Sequence, residues 1–244
     1  MKYLYHHTWV ALSIVLSFML ADSAIADVQT TVLFQPPPGE EQPKDTEGAA
    51  SRQTGECAVN DLELQSASQE LPLTALVPEN NYGLTTKERP NFWIHLPNTS
   101  AKQAILSVKA AGKTPHWQQS VDLNRHSGII GIKLSKDAPA LEIGTDYQWA
   151  VILVCGDRPS PNDPVVTSWI KRTEATNSQL SSSSKLAEAS AHAQQGIWYD
   201  ALDLLISEKP LQNNWQDIWN RYLESANLTR FADLPIVDNP LLSK

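Results

Sequence analysis

Apolar and polar positions alternate through the middle of this chain. In QAILSVKA (103–110), Ala104, Leu106 and Val108 oppose Ser107 and Lys109, the two-residue period of a half-buried strand. HWQQSVDL (116–123) sets Trp117, Gln119, Val121 and Leu123 on one face, and GIIGIKL (128–134) aligns Ile130, Ile132 and Leu134. LTALVP (73–78) and NFWIHLP (91–97) precede these runs. DYQWAVILVC (146–155) is nearly continuous in apolar residues and predicts a central strand. VVTSWIKRTE (165–174) closes the region, with charge returning at its end.

About seven short strands between turn signals predict a mainly β unit over residues 57–174, an immunoglobulin-like or fibronectin III-like sandwich. Within LEIGTDYQWAV, Leu141, Gly144, Thr145 and Tyr147 have the spacing of a tyrosine corner, in which a tyrosine hydroxyl bonds back to the preceding turn. An ordinary half-buried Tyr147 is the alternative.

After Thr173 the period changes. EATNSQLSSSSKL is a polar, Ser-rich hinge into a C-terminal helical unit, residues 175–244. Leu186, Ala189, Ala193 and Gly196 recur at three- and four-residue spacing, and Trp198, Ala201, Leu202 and Leu205 share one face of a second helix that Pro210 ends. Trp215, Trp219, Tyr222 and Leu223 align on a third, with Asn213 or Asn214 placed to cap it. The junction around GIWYDAL resembles that of a tetratricopeptide repeat. One such unit cannot bury a continuous core alone, so its tryptophans must dock on the sandwich or on a partner. Docking on the sandwich is the expectation, since large exposed apolar patches are rare.

Residues 1–26 carry an early Lys, an uncharged apolar run and Ala24-Ile25-Ala26, the order of a cleaved signal peptide. The run is too short for a spanning helix, so no integral membrane anchor is expected. Residues 27–56 read as a Pro-rich flexible arm. Whether 30–34 forms a strand is left open. Cys57 and Cys155 are the only cysteines, and an oxidising compartment favours pairing them. Two free thiols or metal ligation are the alternatives. A net charge of −8 without a basic patch argues against nucleic acid.

No nucleophile elbow, zinc-binding H-E-x-x-H or phosphate loop occurs, so no catalytic residue, cofactor or metal site is predicted. His95, His116, His126 and His192 are scattered. His95 reads as a surface or partly satisfied residue, and Asp200 and Asp203 as a solvated helix face. Lys87-Glu88-Arg89 precede Pro90, which biases Arg89 to an extended backbone and delivers the chain into a strand. Phe92 and Ile94 then face one way, Trp93 and His95 the other. Glu88 and Arg89 are candidates for ordering this loop, and Trp93, Trp198 and Tyr199 for contact with a partner.

Several stretches fit one family together: FQPPPGEE and GAASR leading to Cys57, LTALVPENNYGLTTKERPNFWIHLP, LEIGTDYQWAVILVC and GIWYDAL. In them the chain resembles the secreted cyanobacterial family called domain of unknown function 928. The most specific part is Gly83, Leu84, Thr85, Glu88, Arg89, Pro90, Phe92 and Trp93. GAASR departs from it where the family more usually has a second Gly. The resemblance implies a Cys57–Cys155 disulfide and no particular reaction, cofactor or partner. The leading expectation is an exported, periplasmic or extracellular, non-enzymatic adaptor that binds an envelope protein. A carbohydrate-binding module, requiring several indoles on one solvated face, and a hydrolase built on Glu88 are the alternatives.

Overall fold

The computed structural model describes residues 31–41, 43, 57, 71–114, 116–123, 127–175, 184–237 and 241. The signal-peptide expectation, the GAASR departure and residues 176–183 of the Ser-rich hinge lie outside these. Among the described residues the chain is mainly β, with two sheets followed by three short helices. Strands β1 (Thr74–Ala75), β3 (Asn91–Leu96) and β6 (Gly128–Lys133) form a three-stranded antiparallel sheet in the order β1-β3-β6. The second sheet runs β2-β8-β7-β4-β5, from β2 (Tyr82–Thr85), β8 (Val165–Arg172), β7 (Asp146–Val154) and β4 (Gln103–Ala110) to β5 (His116–Asp122). Its β2–β8 pair is parallel, the others antiparallel.

The two-residue period places the core. Ala104, Leu106 and Val108 of β4 and Trp149, Val151 and Leu153 of β7 are buried, in register across the sheet. The Phe92 ring of β3 meets Trp149 at 5.1 Å between centroids. Cys57 and Cys155 are disulfide-bonded across 98 residues of sequence. A loop of that length contributes about 4–5 kcal/mol in the chain-entropy account.

Strand β3 departs from simple alternation, since Phe92 through Leu96 are all buried. Its second face is covered by the C-terminal unit. His95, read from sequence as surface or partly satisfied, is buried, with Nδ1 2.9 Å from the Pro72 carbonyl and its ring 6.3 Å from Phe231.

Helix α1 (Lys185–Gln194) starts at Ser184, whose hydroxyl accepts from the Ala187 N–H, and its turn into α2 (Trp198–Glu208) passes through Gly196. Gly196 has φ +74°, and a Cβ there would stand 2.5 Å from Pro37 Cδ, so both the turn and the crossing arm require glycine. Helix α3 (Trp215–Ser225) has Asn214 at its N-cap position, but that side chain makes no capping bond.

The arm corrects one expectation. Residues 31–41 form no strand; 31–37 lie against the helices with Val32 and Phe34 buried, and Glu40 pairs with Lys171 of β8. Phe34 N donates to Ser225 Oγ at 2.8 Å, Gln35 N donates to the Ala193 carbonyl at 3.0 Å, and Phe34 meets Trp198 edge-on. Two apolar side chains at alternate positions anchor a segment whose proline content suggested flexibility.

Candidate functional site

Two places combine shape with chemistry, at opposite ends of the five-stranded sheet. The first is the seam between α2 and the loop Thr85–Trp93. Asp200 and Asp203 are three residues apart, hence on one face of α2. Asp200 accepts from the Thr85 hydroxyl at 2.6 Å, the Thr86 N–H at 2.9 Å and the Thr86 hydroxyl. Asp203 accepts from Lys87 Nζ at 2.8 Å, Asn91 Nδ2 at 3.0 Å and Trp93 Nε1 at 2.5 Å. Asp200 is 2% exposed and the Asp203 side chain 8%, so the solvated face expected from sequence is a buried polar joint. Helical periodicity assigned both carboxylates to the polar side, and that side meets a loop rich in donors. Burial alone would lower the Lys87 ammonium pKa. The nearby Asp203 and Asp200 carboxylates outweigh it and raise the value.

The loop is held from its other side by arginines. Arg172 donates to the Leu141 and Thr86 carbonyls, and Arg89 to the Ala138 carbonyl. Glu88 pairs with Arg89 at 3.5 Å and Arg172 at 3.4 Å, and is 57% exposed. Among the described residues its ion-pair partners are these two guanidiniums. Exposed pairs of this kind contribute little stability, so their role here is orientation.

The aromatic candidates are internal. Trp198 is fully buried, donates from Nε1 to the Leu76 carbonyl at 2.9 Å and stacks on Tyr222 at 4.7 Å. Tyr199 enters between the sheets. Its hydroxyl donates to the Trp169 carbonyl at 3.1 Å and accepts from Trp149 Nε1 at 2.7 Å. Gly83 makes this entry possible, since a Cβ there would stand 2.9 Å from the Tyr199 ring. Burial raises the Tyr199 phenol well above its ordinary pKa. Trp93, Trp198 and Tyr199, named from sequence as candidates for partner contact, therefore bind the protein's own sheets and loops. Amphipathic helix faces signalled burial but not what would cover them.

The second place was missed from sequence. A cleft of about 310 Å³ opens between the β4–β5 hairpin and the 134–142 loop. Its walls include Val108, Trp117, Leu134, Ala138, Leu141 and Tyr147. Lys113, His116 and Glu142 also line it, and all three are exposed. Tyr147 sits at the start of β7 with its hydroxyl accepting the Glu142 N–H at 2.9 Å, five residues back along the chain. That bond ties the loop wall to the sheet. The sequence signal was Trp117 on the same face of HWQQSVDL as Val121 and Leu123.

Trp93, Trp149, Trp169, Trp198, Trp215 and Trp219 are buried and Trp117 partly so. The described residues therefore present no face of several exposed indoles. They also hold no cluster of three or more potential metal ligands, and no helix long and apolar enough to cross a membrane.

The family model described as Domain of Unknown Function (DUF928) matches residues 47–236, most of the chain. The chain belongs to the DUF928 family. No curated protein and no solved structure matches it. In this DUF928 chain the matched span takes in the disulfide, the Asp200–Asp203 joint and the whole cleft.

Proposed function

We propose that this chain is an exported, non-enzymatic interaction module that holds a protein partner of the cell envelope in the Trp117–Tyr147 cleft. The observation that carries this reading is the cleft itself: apolar walls, an exposed polar rim and a volume in the range of binding pockets. The Cys57–Cys155 disulfide supports an oxidising compartment, periplasmic or extracellular. The helices take the role of scaffold, because their tryptophans are already buried internally.

We read the scaffold as immunoglobulin-like. The strand order β1-β3-β6 facing β2-β8-β7-β4-β5, with the Tyr147 hydroxyl bonded back to the preceding loop, supports that assignment. Helices α1 and α2 are then a single tetratricopeptide-like hairpin, with Ala189, Ala193 and Ala201 fully buried.

The test is capture from native envelope extract with the oxidised protein and its Ala140→Arg variant, whose side chain fills the cleft from the exposed loop. The partner is expected with the wild type and not with the variant, at unchanged thermal stability. Equal capture by both overturns the cleft as the site.

A further inference from the structure

A strand at the edge of a sheet offers unpaired N–H and C=O groups, and proteins usually cover or interrupt such an edge. Here the other edges are short or covered. The outer side of β6 pairs with the chain's own C-terminal segment. Ile129 N–H donates to the Pro235 carbonyl at 2.7 Å, and Lys133 N–H to the Leu241 carbonyl at 3.0 Å. Strand β1 has two residues, and β2 has four and packs against Trp198 and Tyr199 of α2. Strand β5 differs. It ends the larger sheet, and among the described residues no strand lies beyond it. It is seven residues long, holds no Lys, Pro or Gly, and pairs with β4 in unbroken register. Leu123 N–H donates to the Lys102 carbonyl, toward β4. By alternation the backbone groups of Trp117, Gln119 and Val121 also point at β4, and those of Gln118 and Ser120 point away from it. The side chains of Gln118 and Ser120 are exposed.

We infer that β5 is a self-association edge, along which a second copy of this chain pairs antiparallel about a two-fold axis through Gln119, joining the two larger sheets into one. This is the register that pairs the whole strand. Gln118 stands opposite the second copy's Ser120, Trp117 opposite its Val121 and His116 opposite its Asp122. The hydrogen-bond phase fits. Gln118 and Ser120 both turn their backbone groups outward, so each facing pair exchanges two N–H···O bonds. A shift of one residue would set outward groups against inward ones. The side chains fit as well. Trp117 opposite Val121 is an aromatic and β-branched pair on the core face, and no position sets like charges opposite each other. Two-fold pairing occupies the edge in both copies, so association closes at a dimer. A contact along one strand is smaller than a standard interface of about 1,600 Å², so the dimer is weak and concentration-dependent. The pairing needs no occupant in the cleft.

Sedimentation equilibrium of the oxidised protein over a range of concentrations reads the dimer directly. Two double variants at the exposed side chains test the register. Gln118→Lys with Ser120→Lys sets like charges opposite each other on both sides of the axis. Gln118→Lys with Ser120→Glu sets opposite charges there, and controls for folding of the first. A monomer–dimer equilibrium is expected for the wild type. The dimer dissociation constant of the first variant is expected to be about tenfold weaker than that of the second. The first variant also makes an acidic chain less acidic, so general charge repulsion alone predicts the opposite order. A wild type that stays monomeric at the highest concentration it tolerates, or equal constants for the two variants, overturns the inference. If the wild type is monomeric and the first variant alone fails to capture the envelope partner, the edge takes a partner's strand instead of a second copy.

Discussion

At the β2–β8 end of the larger sheet, helix α2 covers what the three-stranded sheet leaves open. At the β4–β5 end, the 134–142 loop crosses and a cleft remains. The same row of residues runs toward both ends, with Trp149 closed over by Tyr199 and Trp117 lining the cleft. The closed end is cross-linked by polar contacts: Asp200 and Asp203 each accept three hydrogen bonds, and the Tyr199 hydroxyl joins an indole to a backbone carbonyl, while Arg89 Nε and Asn91 Oδ1 stay without a partner. The open end has no such network across its walls, which are mostly apolar. One end is closed by a helix and the other is left open as a cleft. Local departures from full satisfaction are where function is most often found.

This contrast breaks first at Trp198. Trp198→Ala removes a fully buried ring that packs on Phe34 and Tyr222, and should cost about 3–5 kcal/mol by urea unfolding. Near-wild-type stability would mean that α2 is an appendage. Asp203→Asn comes next, at about 2–3 kcal/mol, because an uncharged amide must meet donors from Lys87, Asn91 and Trp93. Tyr199→Phe leaves the buried Trp149 Nε1 without its acceptor and should cost about 1–2 kcal/mol. Trp117→Phe strands nothing and should change stability by under about 1 kcal/mol. Equal losses for the last two variants would erase the difference between the ends.

The alkaline limb sharpens the same point. Burial holds the phenols of Tyr82, Tyr199 and Tyr222 protonated above their ordinary range, and the Lys87 pKa is raised too. In each case the folded state binds more protons than the unfolded chain once pH exceeds the unfolded value, so stability falls as pH rises. The loss should begin near pH 10, about the unperturbed tyrosine and lysine values. Most tyrosinate absorbance should appear together with unfolding rather than before it. A smooth tyrosinate titration in the folded protein would contradict the burial of these rings.

The sequence made the sheets legible where one face was enough. QAILSVKA and HWQQSVDL alternate because β4 and β5 bury a single side. NFWIHL was harder, since His95 and Trp93 are buried by a unit more than one hundred residues away in the chain, and periodicity carries no partner identity. The same limit hid the role of Asp200 and Asp203. Their i, i+3 spacing declared a shared face, but the donors of TTKERPNFW gave no sign of being its complement. Residues 31–37 of the arm pack where flexibility was expected, because composition averages over Val32 and Phe34, the two side chains buried there. The cleft depends on how far one loop reaches, which local pattern does not encode.

The most direct test of the account is urea unfolding of the oxidised protein from Asp27, followed at once by far-ultraviolet circular dichroism for the helices and by the indole N–H resonance of Trp117 for the sheets. With Tyr199 between the sheets and Trp198 bonded to Leu76, the helices and sandwich should unfold together, and the two curves should superimpose. Loss of helical signal in a separate, earlier transition, with the Trp117 resonance unchanged, would contradict it.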